Sequence, residues 1–364
     1  MIILYSDSSR GKRRRAEEGS SQSFEEGKSK VPNTEAPARK KRKLAATRPS
    51  TQGQKKDTEP EAPRGKRKRA EEEDSQSVGE GTSKFPHNEA PPAEPDSFKS
   101  RYVVGDELGQ GGFGSVYKGS RISDGLQVAI KFVSKRKTSR FLYSPVESKA
   151  VPAEVALMQI MSQPPICNNI VQLIEWFDEP QRYILIQERP DPCMDLESFL
   201  KKQGNCMDED MARDIMVQVV EAVNQCSKRG VLHRDIKLQN LLINIDTLEV
   251  KLIDFGCGDL IKTTPYDRYA GTFRYCPPEF LVYGSYDADP ATVWSLGVLL
   301  FRMVYGHLPF ASKFETIVGI FVFKDGLSKE CRNLIAWCLE WLPSKRPSLQ
   351  QIRQHEWLQC TIQT

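Results

Sequence analysis

The texture of the chain changes at Arg101. From there to about Leu358, apolar segments alternate with Gly and Asp-Gly breaks. YVVGDELG, GSVYKGS and LQVAIKFV carry β-branched residues in alternation with short breaks between them, which predicts consecutive strands of an antiparallel sheet. Pro152 to about Met161 reads as a helix with Pro in its first turn, and IVQLIEWF and RYILIQE read as two further strands. Thereafter helices dominate. From about Asp208 to Arg229, Met211, Ile215, Val219, Val223 and Cys226 recur every three or four residues, with Asp208 placed to cap the start and Gly230 to end the helix. A helix from about Thr292 to Tyr305 is apolar on nearly every side, so it is expected at the centre of a core. A β-rich small half followed by an α-rich large half implies an α+β fold with a cleft between the halves.

Residues 1–100 lack such a pattern. After the opening MIILY there is almost nothing apolar, and Lys, Arg, Glu, Ser, Pro and Gly dominate, a composition that builds no core and predicts a disordered tail. MIILY is too short for a secretory h-region and is expected to belong to that disorder. The segment RGKRRRAEEGSSQSFEEGKSKVPNTEAP (10–37) recurs as RGKRKRAEEEDSQSVGEGTSKFPHNEAP (64–91). Without a hydrophobic face the copies have nothing to stack, so this reads as a duplicated cassette rather than a solenoid.

The formal net charge is +4. Its basic excess lies in the tail, where 22 Lys+Arg face 17 Asp+Glu, leaving 30 against 31 in the remainder. KRRR (12–15), RKKRK (39–43) and KRKR (66–69) suit a nuclear import receptor or a polyanion, against the plainer reading of solvated charge broken up by Glu. All nine cysteines lie beyond residue 166 at irregular spacing, and no apolar run is long enough for a bilayer. They are read as reduced thiols of a protein that is cytoplasmic, nuclear or both, with no membrane partner.

The chemistry begins with LGQGGFGSV, in which Gly109, Gly111 and Gly114 form GxGxxGxV between two strands. Glycines let backbone N–H groups approach phosphate oxygens. A dinucleotide site would require a helix after the loop, and a strand follows instead. VAIK then puts Lys131 inside an apolar strand, where an unpaired ammonium is costly, and Glu154 on the next helix is the natural carboxylate. VLHRDIKLQN (231–240) and LIDFG complete a phosphoryl-transfer set. Asp235 can accept a hydroxyl proton, Lys237 can steady a γ-phosphate, and Asn240 and Asp254 offer the hard oxygens that Mg²⁺ takes.

In this order the motifs resemble a eukaryotic protein kinase domain, and within it the Pim serine/threonine kinases. The narrower resemblance rests on ERPDP (188–192), LHRDIKLQN, KLIDFGCGDL, CPPE (276–279), VWSLGVLLF and CLEWLPSKRPS. It implies a two-lobed fold: a small antiparallel β lobe with one main helix (101–187), a hinge (188–194), a mostly helical large lobe (195–358) and a C-terminal tail (359–364). It implies Mg²⁺ and ATP, with Lys131 paired to Glu154, Asp235 as base, Lys237 on the phosphate, and Thr272 steadying Asp235 and Lys237 through its hydroxyl. Asn240 and Asp254 would hold metal. Leu108, Gly109, Gln110, Gly111, Gly112, Phe113, Gly114, Val116, Ala129, Gln187, Glu188, Pro190, Asp195 and Ile253 would surround the nucleotide. Pro190 has no N–H to donate, so the base would bond at the hinge through the Glu188 carbonyl alone. Glu279 would pair with Arg346 in a structural role.

Departures from the family pattern matter too. Thr292-Val293-Trp294 stands where most kinases have DxW, Leu238 and Gln239 stand where Pim kinases carry two acids, and Lys313 stands where the family tends to be acidic. Protein substrates with Ser/Thr acceptors are implied, with only a weak preference for basic peptides. Pim kinases are active without activation-segment phosphate. Here Asp267 is the expected acidic stand-in facing Arg234, although Arg268 occupies the matching position. The resulting reading is a monomeric, constitutively active, non-specific serine/threonine protein kinase. The alternatives are a pseudokinase scaffold and a nuclear nucleic-acid binder acting through the basic tail.

Overall fold

The structure, a computed structural model, describes residues 3–5, 97–112, 114–323 and 325–359. The duplicated cassette, the three basic runs and Phe113 lie outside them.

Strand β1 (Ile3–Tyr5) and helix α1 (Phe98–Arg101) come first. The small lobe then comprises β2 (Tyr102–Gln110), β3 (Gly114–Arg121), β4 (Gln127–Ser134), β5 (Phe141–Ser144), β6 (Lys149–Pro152), α2 (Ala153–Met161), β7 (Leu173–Asp178) and β8 (Arg182–Glu188). Its main sheet is antiparallel, in the order β2-β3-β4-β8-β7. Alternation along β4 decides what each face does. Val128 and Ile130 point into a cluster with Phe98, Tyr102, Ile184 and Ile186. The four aliphatics among them are fully buried, and each contributes about 1.5–3 kcal/mol. Lys131 and Val133 take the other face, where Val133 shares the main core with Val155, Leu157 and Met158 of α2.

The large lobe contains β9 (Cys193–Asp195), α3 (Leu196–Lys202), α4 (Glu209–Lys228), β10 (Val231–Leu232), β11 (Leu241–Asn244), β12 (Val250–Leu252), β13 (Asp259–Leu260), α5 (Pro278–Tyr283), α6 (Ala288–Tyr305), α7 (Lys313–Val318), β14 (Phe321–Phe323), α8 (Lys329–Cys338), α9 (Leu349–Arg353) and α10 (Glu356–Gln359). On α4, Ile215, Val219, Val223 and Cys226 are buried as the spacing requires. The Asp208 carboxylate accepts from the Met211 N–H at 2.8 Å, and Gly230 takes a left-handed φ just past the end. Helix α6 is buried along nearly its whole length, and Trp294 stacks on Phe310 with ring centroids 5.5 Å apart. One apolar core runs from α2 through α4 and α6 to Trp357, so the small-lobe helix is packed continuously with the large lobe.

Three features depart from the sequence reading. The β5–β6 hairpin, between β4 and α2, was not expected. Helix α6 begins at Ala288 rather than Thr292, because Pro290 falls in its first turn, where the missing N–H has no intrahelical partner. The backbone of Ile3–Tyr5, expected to be disordered, pairs in parallel with Phe321–Phe323. No helix among the described residues is long and apolar enough to cross a membrane.

Candidate active site

Lys131 emerges from the centre of β4, with its Nζ 2.5 Å from Glu154 Oε1 on α2 and 2.7 Å from Asp254 Oδ1. Burial opposes the ammonium, but attraction by Glu154 and Asp254 outweighs it and raises the Lys131 pKa above the ordinary lysine value. Burial likewise opposes the Asp254 carboxylate, yet Lys131 holds its pKa below the usual aspartate value. Glu154 is pushed up by burial. Asp254 has a φ of 66° with its Oδ1 also accepting from Gly256 N–H at 3.3 Å, a left-handed geometry uncommon outside glycine. Its side chain is 31% exposed, and no described residue bonds its Oδ2.

The second half of the site comes from the segment after β10. Asp235 Oδ2 accepts from Lys237 Nζ at 2.6 Å and from Asn240 Nδ2 at 3.0 Å, while its Oδ1 accepts from the Thr272 backbone N–H at 2.7 Å. Lys237 also donates to Thr272 Oγ1 at 2.7 Å. Thr272 therefore reaches Asp235 through its backbone and Lys237 through its hydroxyl, which divides the role expected of the hydroxyl alone. Asn240 spends its amide N–H groups on Asp235, leaving its carbonyl oxygen free of described partners. Asn240 Oδ1 and Asp254 Oδ2 are thus hard oxygens without a protein donor, which fits Mg²⁺. His233 is buried, with burial depressing its pKa. Its Nε2 faces the Ile253 carbonyl at 3.0 Å while the Asp235 N–H donates to its Nδ1 at 3.3 Å, which fixes the neutral tautomer.

Around the nucleotide positions the outcome is mixed. Leu108, Gly109 and Gln110 end β2 and Gly114 and Val116 begin β3, with Gly109 opposite Val116 and the Gly111 N–H donating to the Gly114 carbonyl at 2.8 Å. Leu108 is 48% exposed, an apolar side chain with no cover of its own. Gly114 admits no side chain, since a Cβ there would lie 1.9 Å from the Phe132 carbonyl oxygen. Lys137, which the sequence did not single out, donates to the Gly112 carbonyl at 3.2 Å. Ala129 pairs with Gln187 across β4 and β8, and Ile253 lies just before Asp254. Gln187 is buried with its Nε2 on Met158 Sδ, and Glu188 accepts from Lys251 at 3.1 Å. Pro190 lies at the start of the hinge and offers no N–H. Asp195 is foremost a helix cap, accepting from Ser198 N at 2.9 Å and Ser198 Oγ at 2.6 Å. A cavity of about 560 Å³ beside Val146, Ile160 and Arg229, at the far end of α2, contains none of these residues.

The acidic partner of Arg234 is not Asp267. Arg234 Nη1 lies 3.2 Å from Asp259 Oδ2, and its other nitrogens donate to the Cys257 and Gly258 carbonyls at 2.5 and 3.1 Å. Arg140, just before β5, clamps the same carboxylate at 2.6 Å and the Gly258 carbonyl at 2.7 Å. Asp259 thus joins the small lobe to the catalytic loop, whereas Asp267 is exposed without an ion-pair partner among the described residues. The sequence held a signal for Asp259, five residues after Asp254 in KLIDFGCGDL, but none for Arg140. Gly271, also missed, has a φ of 115°, and a Cβ there would lie 2.3 Å from the Arg234 carbonyl oxygen. Thr292 turns back to the Ala288 carbonyl at 2.8 Å within its own helix, consistent with the missing Asp of DxW. Glu279 and Arg346 form the expected two-pronged pair at 2.8 and 2.7 Å.

Comparison with known proteins agrees with this geometry. Residues 102–358 match the model of the protein kinase domain, a family that generally uses ATP and Mg²⁺. The chain is 42% identical over 268 residues to the serine/threonine-protein kinase pim-2 of Danio rerio, covering 72% of this chain and 86% of that one. It is 36% identical over 265 residues to the serine/threonine-protein kinase prk-2 of Caenorhabditis elegans, covering 72% of this chain and 59% of the relative. A human SNF-related serine/threonine-protein kinase is 33% identical over 267 residues, 71% of this chain and 33% of its own length. A buried lysine held by two carboxylates, an aspartate held by Lys237 and Thr272, and these similarities over most of the chain together make it a member of the eukaryotic protein kinase family, of serine/threonine type and Pim-like.

Proposed function

We propose that the protein transfers the γ-phosphoryl group of Mg-ATP to Ser and Thr hydroxyls of proteins, without needing phosphorylation of its own activation segment. Bound Mg-ATP would supply the phosphoryl group and the cations that neutralise its charge. Asp235 takes the acceptor proton and Lys237 steadies the transferred group. Lys131, held by Glu154, meets the phosphates, while Asn240 and Asp254 present oxygens to the metal. The glycine loop covers the phosphates, and Leu108, Val116, Ala129 and Ile253 form apolar walls for the base. The Glu188 carbonyl would receive the single hinge hydrogen bond.

The observation that carries this reading is Lys237, whose ammonium is shared between Asp235 Oδ2 at 2.6 Å and Thr272 Oγ1 at 2.7 Å. That arrangement holds the base and the phosphate-steadying lysine in fixed register. Constitutive activity rests on Asp259, which already neutralises Arg234 where a phosphate would otherwise be needed. A weak preference for basic peptides rests on Asp191 and Asp195 near the hinge, both already engaged, by Arg189 and by Ser198. The protein would act as a monomer in the cytoplasm, the nucleus or both, with its basic tail runs offered to an import receptor.

A degenerate peptide array with Mg-ATP, probed with dephosphorylated wild type and Asp254→Asn, tests the reading. Phosphorylation of Ser and Thr peptides by wild type alone is expected. No transfer by wild type, or transfer only after Thr263 or Thr264 is phosphorylated, would overturn the corresponding part.

A further inference from the structure

Next to the catalytic carboxylate lies a positively charged surface that the phosphoryl-transfer step does not use. Phe273 follows Thr272 directly and is 43% exposed, a large aromatic ring left open beside the acceptor position. The Lys313 ammonium, from the first turn of α7, sits over this ring 4.3 Å from its centroid. Arg274, the next residue, is exposed as well, and neither cation forms an ion pair with a described carboxylate.

The acids that could neutralise them are committed elsewhere. Glu315, two residues beyond Lys313, turns back to accept from the Ala311 N–H at 2.8 Å and the Ser312 hydroxyl at 3.3 Å. Glu279 is taken by Arg346 and Glu197 by Arg302 at 2.9 Å. Asp235 is taken by Lys237 and Asn240. The catalytic loop adds no further charge, since Leu238 is buried and Gln239 is neutral. An exposed aromatic roofed by an unpaired ammonium, one residue from the group that holds Asp235, is therefore a subsite of net positive charge.

We infer that Lys313, with Phe273 beneath it and Arg274 alongside, selects substrates carrying an acidic side chain, carboxylate or phosphate, close to the acceptor hydroxyl. This rests on the kinase reading above and deepens it. Thr272 N lies 2.7 Å from Asp235 Oδ1 and Phe273, with the Lys313 ammonium 4.3 Å from its ring centroid, is the next residue, which puts the cation within roughly three residues of extended peptide from the acceptor. An anion there gains a charge-assisted contact and, on the ring, an apolar platform. An arginine in the same place meets like charge.

The test uses the full chain, Mg-ATP and Ser peptides that carry Glu, phosphoserine, Ala or Arg at each of the three positions on either side of the acceptor. Wild type is expected to favour Glu over Ala at one of these positions by about threefold to fivefold, mostly in KM, and phosphoserine by more. Lys313→Glu is expected to reverse the order in favour of Arg, with an unchanged melting temperature showing that the fold is kept. Fluorescence anisotropy of the same peptides with Mg²⁺ and a non-hydrolysable ATP analogue reads the preference independently of transfer. Discrimination in anisotropy without phosphorylation of any peptide would sink the kinase reading and leave the subsite standing. Equal binding of Glu, phosphoserine and Ala peptides by wild type, or an order unmoved in Lys313→Glu, would overturn the subsite. A preference for phosphoserine without one for Glu would confine the ligand to phosphate.

Discussion

Two clusters in this protein bury charge, and they differ in how completely the protein closes them. In the large lobe, Glu279 and Arg346 meet through two short bonds with side chains 6% and 0% exposed. Arg346 also donates to the carbonyls of Glu340, Pro290 and Trp341 and lies over the Trp294 ring. Nothing is left to offer a ligand. Between the lobes, Lys131, Glu154 and Asp254 are equally close, yet Asp254 keeps one oxygen without a donor among the described residues and Asn240 nearby does the same. Buried ion pairs alone therefore do not mark a site; open lone pairs beside them do.

Breaking the two clusters should have different consequences. Asp235→Asn is expected to lower kcat by about 10²–10⁴-fold while the melting temperature stays near that of wild type, as steady-state kinetics and thermal unfolding would show. Glu279→Ala acts on the closed pair, stranding the Arg346 guanidinium, and is expected to destabilise the fold by about 3–5 kcal/mol in denaturant titration. Any activity lost in that variant should follow the folded fraction. Replacing Glu279 and Arg346 together by apolar residues of similar volume should recover most of the stability, since no buried charge is then left alone.

Asp259→Ala sharpens the comparison at a half-open cluster. It removes one carboxylate from two arginines, and dephosphorylated protein is expected to lose about tenfold in activity, whereas Asp267→Ala should leave it within twofold. Equal effects of the two would return the role to Asp267.

The smallest effect concerns pH. His233 and His355 have pKa values depressed by burial below the ordinary 6.5, so unfolding takes up protons once pH falls below that value. Their contribution to stability is full above about pH 6.5 and is lost as pH falls toward the folded-state values. The melting temperature should drop between pH 7 and pH 5, and His233→Asn should flatten part of the slope.

Much of this comparison could be read before the structure. The strand pattern of β2 to β4, the Asp208 cap and the apolar stripe of α4 follow from local periodicity, which a single chain displays directly. Motif order points to Lys131, Asp235, Lys237, Asn240 and Asp254, the helix after Lys131 offers Glu154, the family resemblance adds Thr272, and the fold brings them into contact within its two halves. What stayed hidden depends on contacts distant in sequence. Arg140 reaches Asp259 across 119 positions with no local signature, and the acidic partner of Arg234 is that same Asp259 rather than the expected Asp267. Asp195, expected at the nucleotide from its place after the hinge, also caps α3 through its bonds to Ser198, a role that the motifs do not display. The β1–β14 pairing joins residues more than 300 positions apart, and a five-residue apolar opening gives no hint of its partner strand.

Isothermal titration of Mg-ATP into wild type and Asp254→Asn tests most directly whether the open cluster is a nucleotide and metal site. The account predicts saturable heat for wild type at millimolar ATP or below, dependent on Mg²⁺, with the Mg²⁺ dependence largely lost in Asp254→Asn. No heat with wild type, or identical Mg²⁺-dependent binding by the two proteins, would contradict it.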